Sequence, residues 1–275
     1  MSAFFSDSPL PSPVLPMRML LGLSLVALTA ASAGAQQNDF QWSKAEAAGT
    51  RVSVHNITGD VTVRPGTGST VEVTARRHGE ARSDNDVYTV VREYAQHVVI
   101  CVLYRDTDES CDEDGAHMHS HNRRWGNDAS MDVTVTLPAS MQIEAGSVSG
   151  DIHVDGAHGD VRASTVSGDV TLRNLSATSV RATSVSGDVD VGITALSGTG
   201  DLTFKSVSGD VTVAVPTGLN ADFSMSTVSG DLDTDFPLTL SGRMGRRSIN
   251  ARIGQGGRSF TVSTVSGDVR LHALK

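Results

Sequence analysis

The stretch 165-TVSGDVTL-172 decides the reading of this 275-residue chain, because nearly the same residues keep returning. The pattern S/T-V-S-G-D stands at 147–151, 165–169, 184–188, 206–210, 227–231 and 264–268. After each Asp come Ile152, Val170, Val189, Val211, Leu232 and Val269, and two places further Val154, Leu172, Val191, Val213, Thr234 and Leu271. Apolar residues thus alternate with polar ones, which is the period of a half-buried strand. The pairs Gly150-Asp151, Gly168-Asp169, Gly187-Asp188, Gly209-Asp210, Gly230-Asp231 and Gly267-Asp268 are structural corners. Gly accepts positive φ there, and Asp can bond nearby turn amides. Each copy reads as strand, corner, strand.

Spacing turns that unit into an architecture. The first five corner Asp residues lie 18, 19, 22 and 21 apart, and the last step, from Asp231 to Asp268, is 37. Asn250 nearly halves the long step, so it is expected to hold a degenerate corner. A repeat of roughly 20 residues is too short to own a core and must stack on its neighbours. Val and Thr dominate, and no 3.6-residue spacing is present, which excludes a helical solenoid. The expected fold is all-β: a single-stranded parallel β-helix (β-solenoid) with coils of about 18–22 residues stacked every ~4.8 Å, the spacing of hydrogen-bonded strands.

Outward from the repeats, residues 1–35 read as a signal peptide that is removed. Arg18 precedes the apolar run Met19–Ala31, and Ala33-Gly34-Ala35 fits an A-x-A cleavage site. That run is short for a bilayer span, and no later stretch is apolar enough for an anchor, so no membrane span is expected after cleavage. Gln36–Thr50 has little pattern and is expected to be a tether. Residues 36–140 form a less regular β region, in which 51-RVSVHNITGDVTV-63 is a divergent copy with Asp60 at the corner. Residues 141–275 form the regular solenoid. Whether the two are one stack or two domains is open on pattern alone. The formal net charge is −9, with no basic tract, which argues against nucleic acid as a partner. An aromatic content of 4% leaves Val, Ile and Leu to build the core.

Serial S-V-S-G-D-V copies behind a signal peptide, with the ending 248-SINARIGQGGRSFTVSTVSGDVRL-271, resemble the bacterial β-strand-repeat family called the toastrack or adhesin-like domain. The resemblance implies a right-handed β-helix at the bacterial envelope, linked with adhesion or envelope-stress systems. It brings no catalytic signature, because that family's biochemical function is unassigned.

Two features lie outside the repeat. Cys101 and Cys111 are expected to form a disulfide in an exported chain. Closing a loop of about ten residues would stabilise by roughly 2–3 kcal/mol. The acidic, His-rich loop 106–130 follows, where His117, His119 and His121 alternate and could ligate Zn or Cu. A solvated surface insertion is the competing reading. Corner carboxylates stacked in register repel by nearly 1 kcal/mol per pair in water, so amide bonds, splaying or a cation must offset them.

Three function classes remain: an exported, non-enzymatic envelope protein presenting a surface to an envelope protein or glycan; a periplasmic metal-binding protein; and a carbohydrate-active β-helix enzyme. The recurrent acids are accounted for by corners, and no nucleophile motif is present, which favours the first.

Overall fold

The computed structural model describes residues 40–78, 87–104, 109–118, 129–240, 245 and 247–274. These strands pair into one 20-stranded sheet that curls into a β-solenoid, with a separate two-stranded hairpin; the described residues contain no helix. The proposed signal peptide, 1–35, lies outside the described residues.

Each rung consists of two main strands that meet at the Gly-Asp corner. Alternation sends every second side chain inward, and exact parallel register puts like on like. Before the corner, Ile143, Val161, Val180, Leu202, Phe260 and Phe223 form one inward column. After it, Ile152, Val170, Val189, Val211 and Val269 form another. All of these are at most 2% exposed. Burying each such side chain is worth about 2 kcal/mol, so the columns carry the fold. Toward one end the filling turns aromatic: Phe260 packs edge-on against Phe204 at 5.8 Å and Phe223 at 5.1 Å.

From 142 to 216 the rungs follow sequence order; at both ends they do not. Ser259–Ser263 lies between Leu202–Lys205 and Ala221–Ser226, and Val269–Leu274 lies between Val211–Pro216 and Leu232–Thr234. The last repeat is therefore inserted as the penultimate rung. Outside it, Ser248–Ile253 runs antiparallel to Ala221–Ser226, and Thr239–Leu240 antiparallel to Ser248–Ile253. At the other end, Arg51–His55 lies between Gln142–Ser149 and His97–Tyr104, and Val61–Gly66 lies between Ile152–Asp155 and Ser130–Pro138. Antiparallel Val87–Tyr94 and Thr70–His78 close that end. A parallel stack has open strand edges at both ends, and the antiparallel strands cover them. Strands on both sides of residue 140 belong to the same sheet.

Two expectations are corrected. Asn250 is no corner: it is exposed in an antiparallel strand opposite Ser224. The long step holds the turn back and the insertion, not a hidden coil. Residues 36–50 are not simply a tether, because Phe40–Ala45 is an edge strand on Thr70–His78. Its partly buried Phe40 and Trp42 pack against the core.

Candidate functional surface

Every position of the S/T-V-S-G-D corner has a separate task. The first residue is turned in and buried, and its hydroxyl donates to the Gly carbonyl of the adjacent rung. Thr165 donates to Gly150 at 3.0 Å, Ser184 to Gly168 at 2.9 Å, Ser206 to Gly187 at 2.9 Å, Thr264 to Gly209 at 2.9 Å and Thr227 to Gly267 at 3.0 Å. In the divergent copy Asn56 takes this place and donates to Gly59 and Met131 carbonyls. The glycine is obligatory on two grounds, illustrated by Gly187. Its φ is 153°, and a Cβ there would run into the carbonyl of Gly168 on the adjacent rung.

The aspartates form one continuous ladder. Each Asp backbone N–H donates to Oδ1 of the Asp on the preceding rung, at 2.8–3.0 Å, in the spatial order Asp132, Asp60, Asp151, Asp169, Asp188, Asp210, Asp268, Asp231. Charge-assisted bonds of this kind offset the repulsion between stacked carboxylates. Arg270 adds to this by donating to Asp210 Oδ2 at 2.9 Å and Asp268 Oδ2 at 2.6 Å. The Asp268 N–H and the Arg270 guanidinium together hold the Asp210 carboxyl below its usual range. At the far end, His78 Nε2 meets Asp132 Oδ2 at 2.8 Å.

Two positions of the motif face solvent. The serine joins rungs through isolated bridges, such as Ser208 to Ser186 and Ser266. The valine does not pack inward. Val148, Val166, Val185, Val207, Val265 and Val228 are 36–60% exposed, and among the described residues they are the large apolar side chains that stand out into solvent. They stack one per rung into a ridge along the corner. At the Asp60 rung, Ile57 holds this place and is buried, so the ridge ends there.

The cysteine and histidine region sits elsewhere. Cys101 and Cys111 form a disulfide that ties the hairpin of Glu109–Asp112 and Gly115–Met118 to His97–Tyr104. Val99, Cys101 and Leu103 are thereby buried on the outer side of a strand whose inner side, Val98, Ile100 and Val102, already faces the main core. Gly115 packs on the imidazole of His55, and His97 Nε2 lies 2.7 Å from Ser53 Oγ. Burial pushes the pKa of His55 down; Glu144 opposes this, and His97 and His117 add to it. Of the three proposed metal ligands, His117 pairs with Asp112 at 2.9 Å, while His119 and His121 lie outside the described residues. No metal-ligating group of three His, Cys, Asp or Glu side chains is found among the described residues.

The pattern reading missed Asp132 and Arg258. Asp132 lacks the preceding Gly, although 132-DVTV-135 repeats the 60-DVTV-63 of the next rung and signals the same corner. Arg258 is 6% exposed and donates to the carbonyls of Ser197 at 3.0 Å and Gly198 at 2.6 Å, pinning the turn opposite the corner.

With this geometry in view, the chain can be compared with known proteins. The family model described as Toastrack DUF4097 matches residues 158–272. This segment is a toastrack domain. It spans all but the first of the regular rungs, the inserted last repeat and most of the valine ridge. Among solved structures, a "putative cell adhesion protein" from Clostridium sporogenes is similar at 11% identity and a TM-score of 0.47, over 86% of this chain and 99% of that one. A "putative adhesin" from Bacteroides fragilis is similar at 11% identity and a TM-score of 0.38, over 86% of this chain and 96% of that one. A search of the curated proteins finds no match.

Proposed function

We propose that this chain is an exported, non-enzymatic envelope protein whose toastrack solenoid presents its corner as a binding surface for a protein partner. The observation that carries the reading is the line of six valines, 36–60% exposed, on successive rungs. Monomeric soluble proteins scatter exposed apolar residues singly, and an ordered row of them marks an interaction site. A bare ridge of aliphatic knobs suits a protein surface better than a glycan. Along the rungs that carry the ridge, the aromatic residues that could stack on sugar rings, Phe204, Phe223, Phe236 and Phe260, are buried.

Catalysis is disfavoured on chemical grounds. An acid–base pair needs two titratable groups whose surroundings push their pKa values apart. The ladder carboxylates instead share one environment, each accepting the next backbone N–H. The disulfide and the leader-like residues 1–35 favour an oxidising, exported setting.

The test is affinity capture from envelope extracts with the wild type, a Val166→Ser/Val185→Ser/Val207→Ser variant and a Thr171→Asp control on the flat face. Loss of captured protein in the triple variant alone is the expected result. Equal capture by all three overturns the reading.

A further inference from the structure

We propose that the partner of the valine ridge is a second copy of this chain. The two solenoids lie side by side and parallel, related by a two-fold axis that runs along the stack. The inference rests on the corner being the working surface, and it names the occupant.

Three observations point to a second copy. The first concerns what the fold requires. Within the motif, the buried hydroxyl, the glycine and the aspartate all hold neighbouring rungs together, whereas the valine side chain between them makes none of these bonds and stands in solvent. A serine or threonine would serve the strand equally well and keep the corner wet, yet Val stands in all six copies.

The second is period. The knobs rise with the rungs, about 4.8 Å apart, so a partner that meets each of them must carry the same spacing. A second copy does so by construction, and a parallel two-fold axis sets each rung beside its own equivalent.

The third is charge. The flank of the ridge after the corner carries the ladder carboxylates Asp151, Asp169 and Asp188, which are outside the reach of Arg270. The other flank, two or four residues before the valine, carries Arg162, Arg181 and Lys205, interrupted by Glu144 at the Asp151 rung. A two-fold axis along the stack lays the acidic flank of each copy against the basic flank of the other. An axis across the stack lays acid on acid and base on base. Charge therefore selects the parallel arrangement. Six rungs make a strip roughly 25 Å long and one side chain wide. Such a strip falls below the ~800 Å² per partner of a standard interface, so the association is reversible and weakens with salt.

Single cysteines on the ridge test this directly in the disulfide-bonded mature chain. In the spatial order 148, 166, 185, 207, 265, 228, a parallel pair sets residue 148 beside 148, whereas an antiparallel pair sets 148 beside 228. Under mild oxidation, Val148→Cys and Val228→Cys are each expected to cross-link with themselves, at least tenfold faster than Thr171→Cys on the flat face. Cross-linking only in a mixture of the two variants overturns the parallel arrangement. Sedimentation of the wild type is expected to show concentration-dependent dimer that is lost in 1 M NaCl and in the Val166→Ser/Val185→Ser/Val207→Ser variant, with the melting temperature unchanged. A wild type that stays monomeric at every soluble concentration, and cross-links no faster than the control, overturns the inference. If the triple variant still loses an envelope protein in the capture experiment, the surface reading survives and the ridge faces a different protein.

Discussion

The Asp188 and Asp268 rungs carry the same S/T-V-S-G-D corner, bonded in the same way, yet they stand differently in the chain. The neighbours of Asp188 in the stack, Asp169 and Asp210, are also its neighbours in the repeat series. Asp268 sits between Asp210 and Asp231, and the rung that precedes it in sequence lies outside it in space. The motif therefore specifies how any two rungs join, but not which two. Order comes from the connections. Short loops between 142 and 216 permit only the next place in the stack, while the detour through Thr239–Leu240 and Ser248–Ile253 turns the chain back and frees a place for the last repeat.

The contrast between middle and end predicts unequal costs for equivalent changes. Val189 and Leu232 occupy the same column, but Val189 is buried between two rungs and Leu232, in the end rung, is only partly buried. Val189→Asp is expected to cost at least about 4 kcal/mol and to abolish cooperative melting, because it strands a carboxylate among apolar rungs. Leu232→Asp should leave a folded protein with a lowered melting temperature. Equal loss in both would dissolve the distinction between interior and end.

Gly187→Ala comes next, at about 2–3 kcal/mol by chemical denaturation, since both the positive φ and the Gly168 carbonyl resist a Cβ. Gly68→Ala is the comparison. Gly68 has φ 73° but nothing within contact of a Cβ, so only the conformational penalty of about 1 kcal/mol applies. Removing the disulfide through Cys101→Ser/Cys111→Ser should cost about 2 kcal/mol, confined to the capped end and seen as faster hydrogen exchange in 109–118. In the wild type, mass spectrometry should find no alkylatable thiol before reduction.

The same hairpin should respond to pH. Burial beneath Gly115 holds the His55 pKa below its ordinary value, as burial and Arg51 do for His97. The folded state then binds fewer protons than the unfolded one near pH 6.5. The stability these imidazoles contribute is full above that value and falls as pH drops toward their folded pKa values. Protection of the 109–118 amides, taken relative to their intrinsic exchange rates, should fall between pH 7.5 and 5.5, and His55→Gln should flatten the profile. Protection that falls toward alkaline pH instead would contradict the burial of His55. The smallest effect belongs to the ridge: Val185→Ser should alter stability by less than about 0.5 kcal/mol, because that side chain stands in solvent.

Much of this architecture was legible in one motif. Alternation about Gly168-Asp169 gave the strand period and facing, and the common spacing gave the stack. Rung order was not legible, since 227-TVSGDL-232 and 264-TVSGDV-269 are nearly identical and local sequence cannot rank them. Asp132 escaped for a physical reason. Each corner glycine is required by the carbonyl of the rung before it, and the Asp132 rung is first in the ladder, so Met131 can stand where the others need Gly. The ridge was not legible, because nothing in the residue type sets the motif valine apart from a core valine. Val166 and Val170 look alike in sequence, but only Val170 falls on the inward phase once the corner shifts the alternation.

The inserted last repeat also bears on how the chain reaches its final form. Synthesis produces 221–235 before 259–274, so for a time the Asp210 rung is open and the only free copy of the motif is the wrong one. Pairing 227–231 on it would satisfy every local bond, yet it must be undone before the last repeat can enter. Refolding is therefore expected to show a slow phase that shrinks when 259–274 is available early, as in a circular permutant, and that is lost when 259–274 is removed, because the mispaired rung then has nothing to yield to. A repetitive fold with one rung out of order carries its own pairing problem, and the later-made residues 259–274 are the ones that resolve it.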